Sequence, residues 1–143
     1  MKPAPVIVFV YNRPEHTKKV LEALTKNELA SDTEVFIFSD GPKENAGDET
    51  KSEIKKVRDV IRTKFNFKST VIIESKINKG LAGSIIDGVS QVIDSYEKVI
   101  VLEDDHITSP YFLKFMNDAL NFYEKKNEVA CVSGYIYPVK DKL

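Results

Sequence analysis

The chain has no tryptophan, one cysteine and two histidines among its 143 residues. The single cysteine, Cys131, excludes an internal disulfide, and its place in the apolar run VACVSG predicts a small buried side chain rather than a reactive thiol. No apolar run approaches the roughly 18 residues of a membrane helix, and the short N-terminal run does not match a secretory leader. The expected location is the cytoplasm, with peripheral association at a membrane left open.

Neither sign of charge is in excess, since 21 lysines and arginines face 22 aspartates and glutamates for a formal charge of −1. The chain therefore has no overall field to attract a nucleic-acid backbone, and we expect no nucleic-acid partner. A hydrophobic content of 42% at this length predicts one domain with a sizeable core.

Short apolar runs alternate with stretches of helical period. The runs predicted as strands buried on both faces are Pro5–Val10, Glu34–Phe38, Thr70–Ile73, Lys98–Leu102 and Val129–Val132. The helical stripes predicted to enter the core are Thr17/Val20/Leu21/Leu24, Ile54/Val57/Ile61/Phe65, Leu81/Ile85/Val89/Val92 and Phe112/Phe115/Ala119/Leu120/Tyr123. This order predicts an α/β domain of three layers, with a mostly parallel sheet and helices on both faces. The polar stretch Gly41–Glu53 is predicted as a surface loop.

Polar residues follow the ends of these strands, where open α/β sheets bind ligands. Three carboxylates, Glu103, Asp104 and Asp105, end the fourth apolar run. Adjacent carboxylates repel one another and are costly to bury, so a cation is expected beside them. Mg²⁺ and Mn²⁺ prefer such oxygen ligands, which favours a metal site over a solvated turn at the start of the helix near Pro110. His106 is left outside the metal set, because local hydrogen bonding is its commoner role.

The other strand ends allow two interpretations each. Asp40 in SDGP is either a turn residue or an acceptor for a ribose hydroxyl or a base N–H. The segment INKGLAGS either presents backbone N–H groups to a phosphate or is a turn followed by close helix packing at Gly83. Lys79 and Arg13 are either solvated charges or partners of a diphosphate. Tyr135 and Tyr137 are weaker candidates for a wall that stacks on a sugar.

Taken together, VIVFVYNRPEHTKKVLEAL, FIFSDGPK, INKGLAGSIIDGV and VIVLEDDHITSPYFLKFM resemble the nucleotide-sugar-binding half of GT-A-fold glycosyltransferases. The resemblance is to family 2, and LEDDH is similar to the acidic motif of the N-acetylglucosaminyltransferase I type. It implies that residues 1–143 form the donor part of a GT-A domain. The donor would be a nucleoside-diphosphate sugar, with a UDP-sugar favoured, and the acceptor a saccharide or lipid-linked saccharide, as in bacterial polysaccharide synthesis.

The resemblance also implies a role for each site residue. Asp105 would ligate a Mn²⁺ or Mg²⁺ ion on the donor diphosphate, Asp104 would lie near the ribose, and Glu103 would face the sugar. Asp40 would contact the uracil or ribose, and Tyr11, Asn12 and Arg13 would line the nucleotide pocket, with Lys79 near the diphosphate. Inverting members take their catalytic base from beyond the fifth strand, and no residue here matches it. A truncated domain that binds donor without transferring sugar is therefore expected.

Three other classes of protein are alternatives to a glycosyltransferase. A non-catalytic nucleotide-sugar-binding or assembly module would retain the donor part alone. A phosphoacceptor receiver domain needs acids after the first strand and a lone aspartate after the third, where this chain has YNRP and ESKINKG. A nucleotidyltransferase needs a glycine-rich basic signature near the first strand, which is absent from this sequence.

Overall fold

The computed structural model describes residues 2–135. In chain order the elements are β1 (Val6–Val10), α1 (Pro14–Thr25), a short 3-10 helix (Ala30–Asp32), β2 (Glu34–Ser39), α2 (Asp48–Ile61), β3 (Ser69–Glu74), α3 (Gly80–Tyr96), β4 (Ile100–Glu103) and α4 (Phe112–Tyr123). The four strands form one parallel sheet in the order β3-β2-β1-β4. The predicted α/β class and parallel sheet are confirmed.

The helices lie on both faces of the sheet, as predicted, because the side chains of β1 alternate between two cores. Val6, Val8 and Val10 belong to the larger core, which contains buried residues of α1, α2 and α4. Ile7 and Phe9 belong to a smaller core on the other face, formed with α3. Three layers result.

None of the helices within residues 2–135 is both long and apolar enough to span a membrane.

Among the strands of residues 2–135, β1 alone is buried on both faces along its whole length. The prediction that the strands are buried on both faces was therefore wrong for the edge strands β3 and β4, and β2 is half-buried on one face. β3 is an edge strand whose residues are exposed or half-buried. On β4, Val101 remains 38% exposed while Ile100 and Leu102 are buried. The physical reason is coverage: α3 is the one described helix in the second core, and it packs over β1 and β2 more than over the edges.

The predicted fifth strand, Val129–Val132, does not form, and Cys131 is exposed rather than buried. A short apolar run becomes a strand only where its backbone groups find a pairing partner. Among the described residues, β4 pairs with β1 alone. The segment therefore follows α4 as irregular chain.

Helix α2 begins at Asp48, inside the stretch predicted as a loop. Asp48 and Glu49 lie in its first turn, where carboxylates favour the positive end of the helix dipole. The helix ends at Ile61, so Phe65 of the predicted stripe lies beyond it, half-buried and stacked on Phe67.

The predicted core stripes of the last two helices were partly wrong. Leu81 of α3 is 59% exposed and Phe115 of α4 is 54% exposed. Helix α4 instead buries Leu113, Met116 and Asn117. This rotation is fixed by polar contacts, because the Asn117 Oδ1 accepts the backbone N–H of Ala4 at 2.8 Å within the core. Tyr123 is exposed as well.

Close packing of α3 on the sheet occurs at Gly88, not at the predicted Gly83. A Cβ at Gly88 would lie 2.8 Å from Cε1 of Phe9, whereas a Cβ at Gly83 would meet nothing nearer than the Lys79 Cβ at 3.6 Å. The helix therefore approaches β1 at its middle rather than at its first turn.

Glu34, the first residue of β2, accepts hydrogen bonds from the Tyr96 hydroxyl and, at 2.9 Å, from the Lys68 Nζ. The Tyr96 bond first, and then the Lys68 bond, lower the pKa of Glu34 from 4.5 to about 2. A carboxyl whose pKa is lower in the folded state contributes stability that is complete above its unfolded pKa. That contribution is lost as the pH falls from 4.5 towards 2.

We expect Tyr96→Phe to lower the free energy of unfolding by roughly 1 to 2 kcal/mol at neutral pH, because it removes a hydrogen bond to a charged group. The difference from the wild type should shrink as the pH falls towards 2, where Glu34 becomes protonated. Urea unfolding at several pH values measures both effects. Tyr123→Phe, at an exposed tyrosine, is the matched control. A pH-independent difference would contradict the assignment.

Candidate functional site

The carboxyl ends of β1, β2 and β4 lie side by side, since Val10 is in register with Ser39 and Phe9 with Glu103. The residues that follow these strands therefore share one edge of the sheet, as the sequence predicted. They form two groups: Arg13 with the acids after β4, and Asp40 with the loop between β3 and α3.

Arg13 bridges two of the acids. Its Nη2 lies 2.8 Å from the Asp104 Oδ1, and its Nη1 lies 3.4 Å from the Asp105 Oδ2. The Asp104 side chain is 5% exposed, whereas that of Asp105 is 48% exposed. Arg13 is therefore not a purely solvated charge, because it pairs with two carboxylates of the same chain. It is an internal counter-ion for the acidic cluster.

Burial raises the pKa of Asp104, and the neighbouring charges of Asp105 and Glu103 raise it further, while Arg13 opposes the shift. A buried carboxylate is costly unless it is paired. The ion pair with Arg13 therefore stabilises the end of β4 in the arrangement that leaves Asp105 at the surface.

His106 makes a local hydrogen bond, since its Nδ1 accepts the backbone N–H of Glu103 at 3.1 Å. Its Nε2 lies 3.7 Å from the Asp105 Oδ1. The turn after β4 is thus closed by His106 through a local hydrogen bond.

Within residues 2–135, no three carboxylate, histidine or cysteine groups converge as a ready-made metal cluster. Asp105 nevertheless fits a hard divalent cation. It is half-exposed, and the nearest Arg13 and His106 side-chain nitrogens lie 3.4 and 3.7 Å from its two oxygens, so lone pairs remain available. Mg²⁺ needs only one or two protein carboxylates when phosphate oxygens and water complete its coordination. Metal ligation by Asp105 stays a prediction.

The carboxylate of Asp40 is occupied by the protein itself. Its oxygens accept the backbone N–H groups of Gly41 at 2.8 Å, Lys79 at 2.9 Å and Gly80 at 3.0 Å. They also accept the Asn78 side-chain Nδ2 at 3.1 Å. A carboxylate offers about four lone-pair positions. Asp40 therefore caps the start of α3, and a direct bond to a base N–H would require one of these donors to leave.

The end of β2 and the loop before α3 are packed tightly together, and we call this pair of segments the β2–α3 junction (residues 40–41 and 77–80). A Cβ on Gly41 would lie 2.6 Å from the Ile77 carbonyl carbon and oxygen. The Asn78 Nδ2 also donates to the Gly41 carbonyl at 2.9 Å. Gly80 has a φ of +72°, which favours glycine. The junction thus unites the predicted SDGP and INKG segments.

Several predicted site residues lie outside these two groups. Tyr11 and Asn12 are half-buried directly after β1. Lys79 belongs to the second group through its backbone N–H alone, because its Nζ pairs with the Asp87 Oδ2 at 2.9 Å at the surface. Tyr135 is 68% exposed, and Tyr137 lies outside the described residues.

Two residues that position this edge escaped the sequence analysis. Asn78 is a loop asparagine between Ile77 and Lys79, and such a residue has no periodic signal in the sequence. Asn27 joins α1 to the chain after the acids: its Nδ2 donates to the Thr108 Oγ1 at 3.0 Å, and its Oδ1 accepts the Leu113 N–H at 2.9 Å. An asparagine just beyond a helix end is a usable signal, but it does not reveal a partner more than eighty residues away.

Solved structures of another protein share this fold. Two solved structures of S. aureus TarS resemble the chain, each with a TM-score of 0.52 and 21% identity. The first match covers 85% of this chain and 20% of TarS, and the second, TarS 1-349 in complex with UDP, covers 86% of this chain and 32% of that one. This likeness shows the shared GT-A fold, and the chain spans about a third or less of the TarS chains.

A search of curated protein sequences gives no match. The family described as glycosyl transferase family 2 matches residues 6–142, which is nearly the whole sequence. The resemblance seen in the residues at the strand ends is thereby confirmed: the chain belongs to glycosyl transferase family 2.

Proposed function

We propose that this chain is the donor-binding part of a glycosyltransferase that uses a nucleoside-diphosphate sugar. The observation that carries the proposal is the half-exposed carboxylate of Asp105, held by Arg13 at the carboxyl end of β4 in a family 2 domain. UDP is the favoured nucleotide, because one structurally similar TarS structure was solved in complex with UDP. The acceptor would be a saccharide or lipid-linked saccharide.

In this proposal Asp105 holds Mn²⁺ or Mg²⁺ together with the donor diphosphate. The ion would supply charge stabilisation for the leaving diphosphate. Tyr11 and Asn12 line the nucleotide pocket beside β1, and Glu103 faces the sugar. The carboxylate of Asp104 faces Arg13 at 2.8 Å. In this proposal Asp104 is therefore a buried residue near the ribose that supports the site.

Asp40 and Lys79 act through the β2–α3 junction. The hydrogen bonds from Lys79 and Gly80 to Asp40 fix the first turn of α3 at the ligand edge. We therefore assign Asp40 a positioning role towards the nucleotide, with contact to uracil or ribose requiring an exchange of hydrogen-bond donors. No catalytic base is assigned, and sugar transfer is proposed for a longer protein that contains this part.

The test is a calorimetric titration of UDP into the chain with and without Mn²⁺. We expect Mn²⁺-dependent binding that Asp105→Asn weakens by at least about tenfold, or about 1.4 kcal/mol, because an amide is a much poorer metal ligand. Asp118→Asn, at an exposed aspartate paired with Lys114 on α4, is the matched control and should leave binding unchanged.

Failure of UDP, GDP and dTDP to bind in the presence of metal would overturn the proposal. Equal binding by the wild type and Asp105→Asn would remove Asp105 as the metal ligand. Donor binding without acceptor-dependent transfer by a longer protein would instead favour a non-catalytic nucleotide-sugar-binding module.

A further inference from the structure

Four cationic side chains, three on α2 and one on Arg62 directly after it, line one open depression. Lys51, Lys55, Arg58 and Arg62 follow one another at spacings of four, three and four residues, so they lie along one face of the helix. With Pro42 and Ile54 they enclose about 270 Å³, which we call the α2 groove. We propose that the α2 groove binds a phosphate group, through residues other than those of the proposed donor site.

The charges of the α2 groove are only partly balanced by the protein. The Arg62 Nη2 lies 2.8 Å from the Glu74 Oε1, and the Arg58 Nε lies 3.7 Å from the other oxygen of the same carboxylate. The side-chain ammonium groups of Lys51 and Lys55 make no ion pair or hydrogen bond with any other residue in the described part of the chain. The Arg62 Nη1 also lies 3.7 Å from the Asp59 Oδ1. Two carboxylates, Glu74 and Asp59, thus contact the two arginines, and neither contacts the two lysine side chains.

This arrangement weakens the helix in the absence of a ligand. Like charges three or four residues apart on a helix destabilise it, and the groove contains three such pairs in succession. Elsewhere on α2 the same residue type is paired, since the Lys56 Nζ lies 2.6 Å from the Glu53 Oε1. An anion in the groove would relieve the repulsion.

Arg58 gives the groove a fixed donor. Its Nη2 donates to the Ser75 carbonyl at 2.6 Å, its Nε lies 3.5 Å from the Ser39 Oγ, and its side chain is only 22% exposed. A guanidinium held in one orientation suits the several oxygens of a phosphate. A phosphate monoester, with a charge near −2, also matches several cations better than a single carboxylate does.

The α2 groove and the proposed donor site use different residues. Arg13, Asp104 and Asp105 lie after β1 and β4, whereas the groove adjoins the ends of β2 and β3. The groove borders the β2–α3 junction at Pro42, but none of its lining residues is assigned to the donor. The phosphate could be free in solution or part of a larger phosphate-bearing molecule. Both sources present the same phosphate chemistry to the groove. A molecule with several phosphate groups can be distinguished from a single phosphate by its tighter binding.

The test follows amide resonances of the ¹⁵N-labelled chain during titration with inorganic phosphate, and separately with a short-chain polyphosphate. The variant Lys51→Gln/Lys55→Gln removes the two unpaired cations. The control Lys18→Gln/Lys64→Gln removes the same charge from exposed lysines outside the groove. UDP with Mn²⁺ is titrated into each variant as a second measurement.

We expect saturable shifts of the amides from Lys51 to Arg62, and binding weakened roughly fivefold or more in Lys51→Gln/Lys55→Gln but not in the control. UDP binding should be unchanged in both variants. The UDP titration therefore tests the proposed donor site separately from the phosphate titration, which tests the groove. Polyphosphate binding about tenfold tighter than phosphate would indicate a multiphosphate partner, and equal binding would indicate free phosphate. Non-saturable shifts, or equal weakening in the two variants, would overturn the proposal.

Discussion

Gly41→Ala should lower the free energy of unfolding by about 3 to 5 kcal/mol, because the new methyl group has no room in the β2–α3 junction. Its Cβ would lie 2.6 Å from the carbonyl carbon and oxygen of Ile77 and 2.7 Å from the nitrogen. These are backbone atoms, which cannot swing aside as a side chain does. Movement of Ile77 would also pull Asn78 and Lys79 away from the Asp40 carboxylate.

Urea unfolding measures this loss, and amide hydrogen exchange at Lys79 and Gly80 locates it. Both amides should exchange faster in Gly41→Ala, since their acceptor is displaced. Gly83→Ala is the matched control: its Cβ has space and α3 gains a better helix former, so stability should stay equal or rise by up to about 1 kcal/mol. A loss below about 1 kcal/mol in Gly41→Ala would show that the junction is loosely packed.

Arg13→Gln should destabilise the metal-free chain by about 2 kcal/mol at neutral pH, because it leaves the Asp104 carboxylate buried without its counter-ion. The Asp104 side chain is 5% exposed, and Arg13 contacts it at 2.8 Å. Combining the substitution with Asp104→Asn should recover much of the loss, since the charge that required the arginine is then absent.

The double-mutant cycle of Arg13→Gln and Asp104→Asn measures this coupling in urea, with a chelator present throughout. Arg62→Gln is the control, because its pair with Glu74 involves a side chain that is 55% exposed and should be worth less than about 1 kcal/mol. A coupling energy no larger than about 0.3 kcal/mol would mean that Arg13 and Asp104 act independently.

The sequence predicted those features of the fold that depend on the hydrophobic pattern. The runs at Pro5–Val10, Glu34–Phe38 and Lys98–Leu102 became strands of a parallel sheet, since strands in such sheets read as continuous apolar stretches. The run at Val129–Val132 looked the same but has no pairing partner among the described residues. Strand propensity is a local property of the sequence. Strand formation also needs a neighbouring strand to pair with, which the local hydrophobic pattern does not reveal.

The candidate site was predictable as a place but not as a set of contacts. Polar residues at strand ends indicated the ligand edge, and the structure places Arg13 and Asp105 there together. The sequence could not show that Asp104 is the buried acid and Asp105 the half-exposed one, because both follow the same strand. Nor could it pair Asp40 with Gly80, since that contact depends on the docking of β2 beside β3.

The capping of α3 by Asp40 has a consequence for how the chain assembles. Lys79, at the helix start, gives no side-chain cap, and the first turn contains no acid, so the stabilising carboxylate comes from a residue forty positions earlier. The cap can form only when Ser39 stands opposite Glu74. A slip of one residue between these strands would move Asp40 by about 3.3 Å, beyond hydrogen-bonding reach. Completion of α3 therefore selects the correct strand register during folding, and mispaired forms keep a frayed helix.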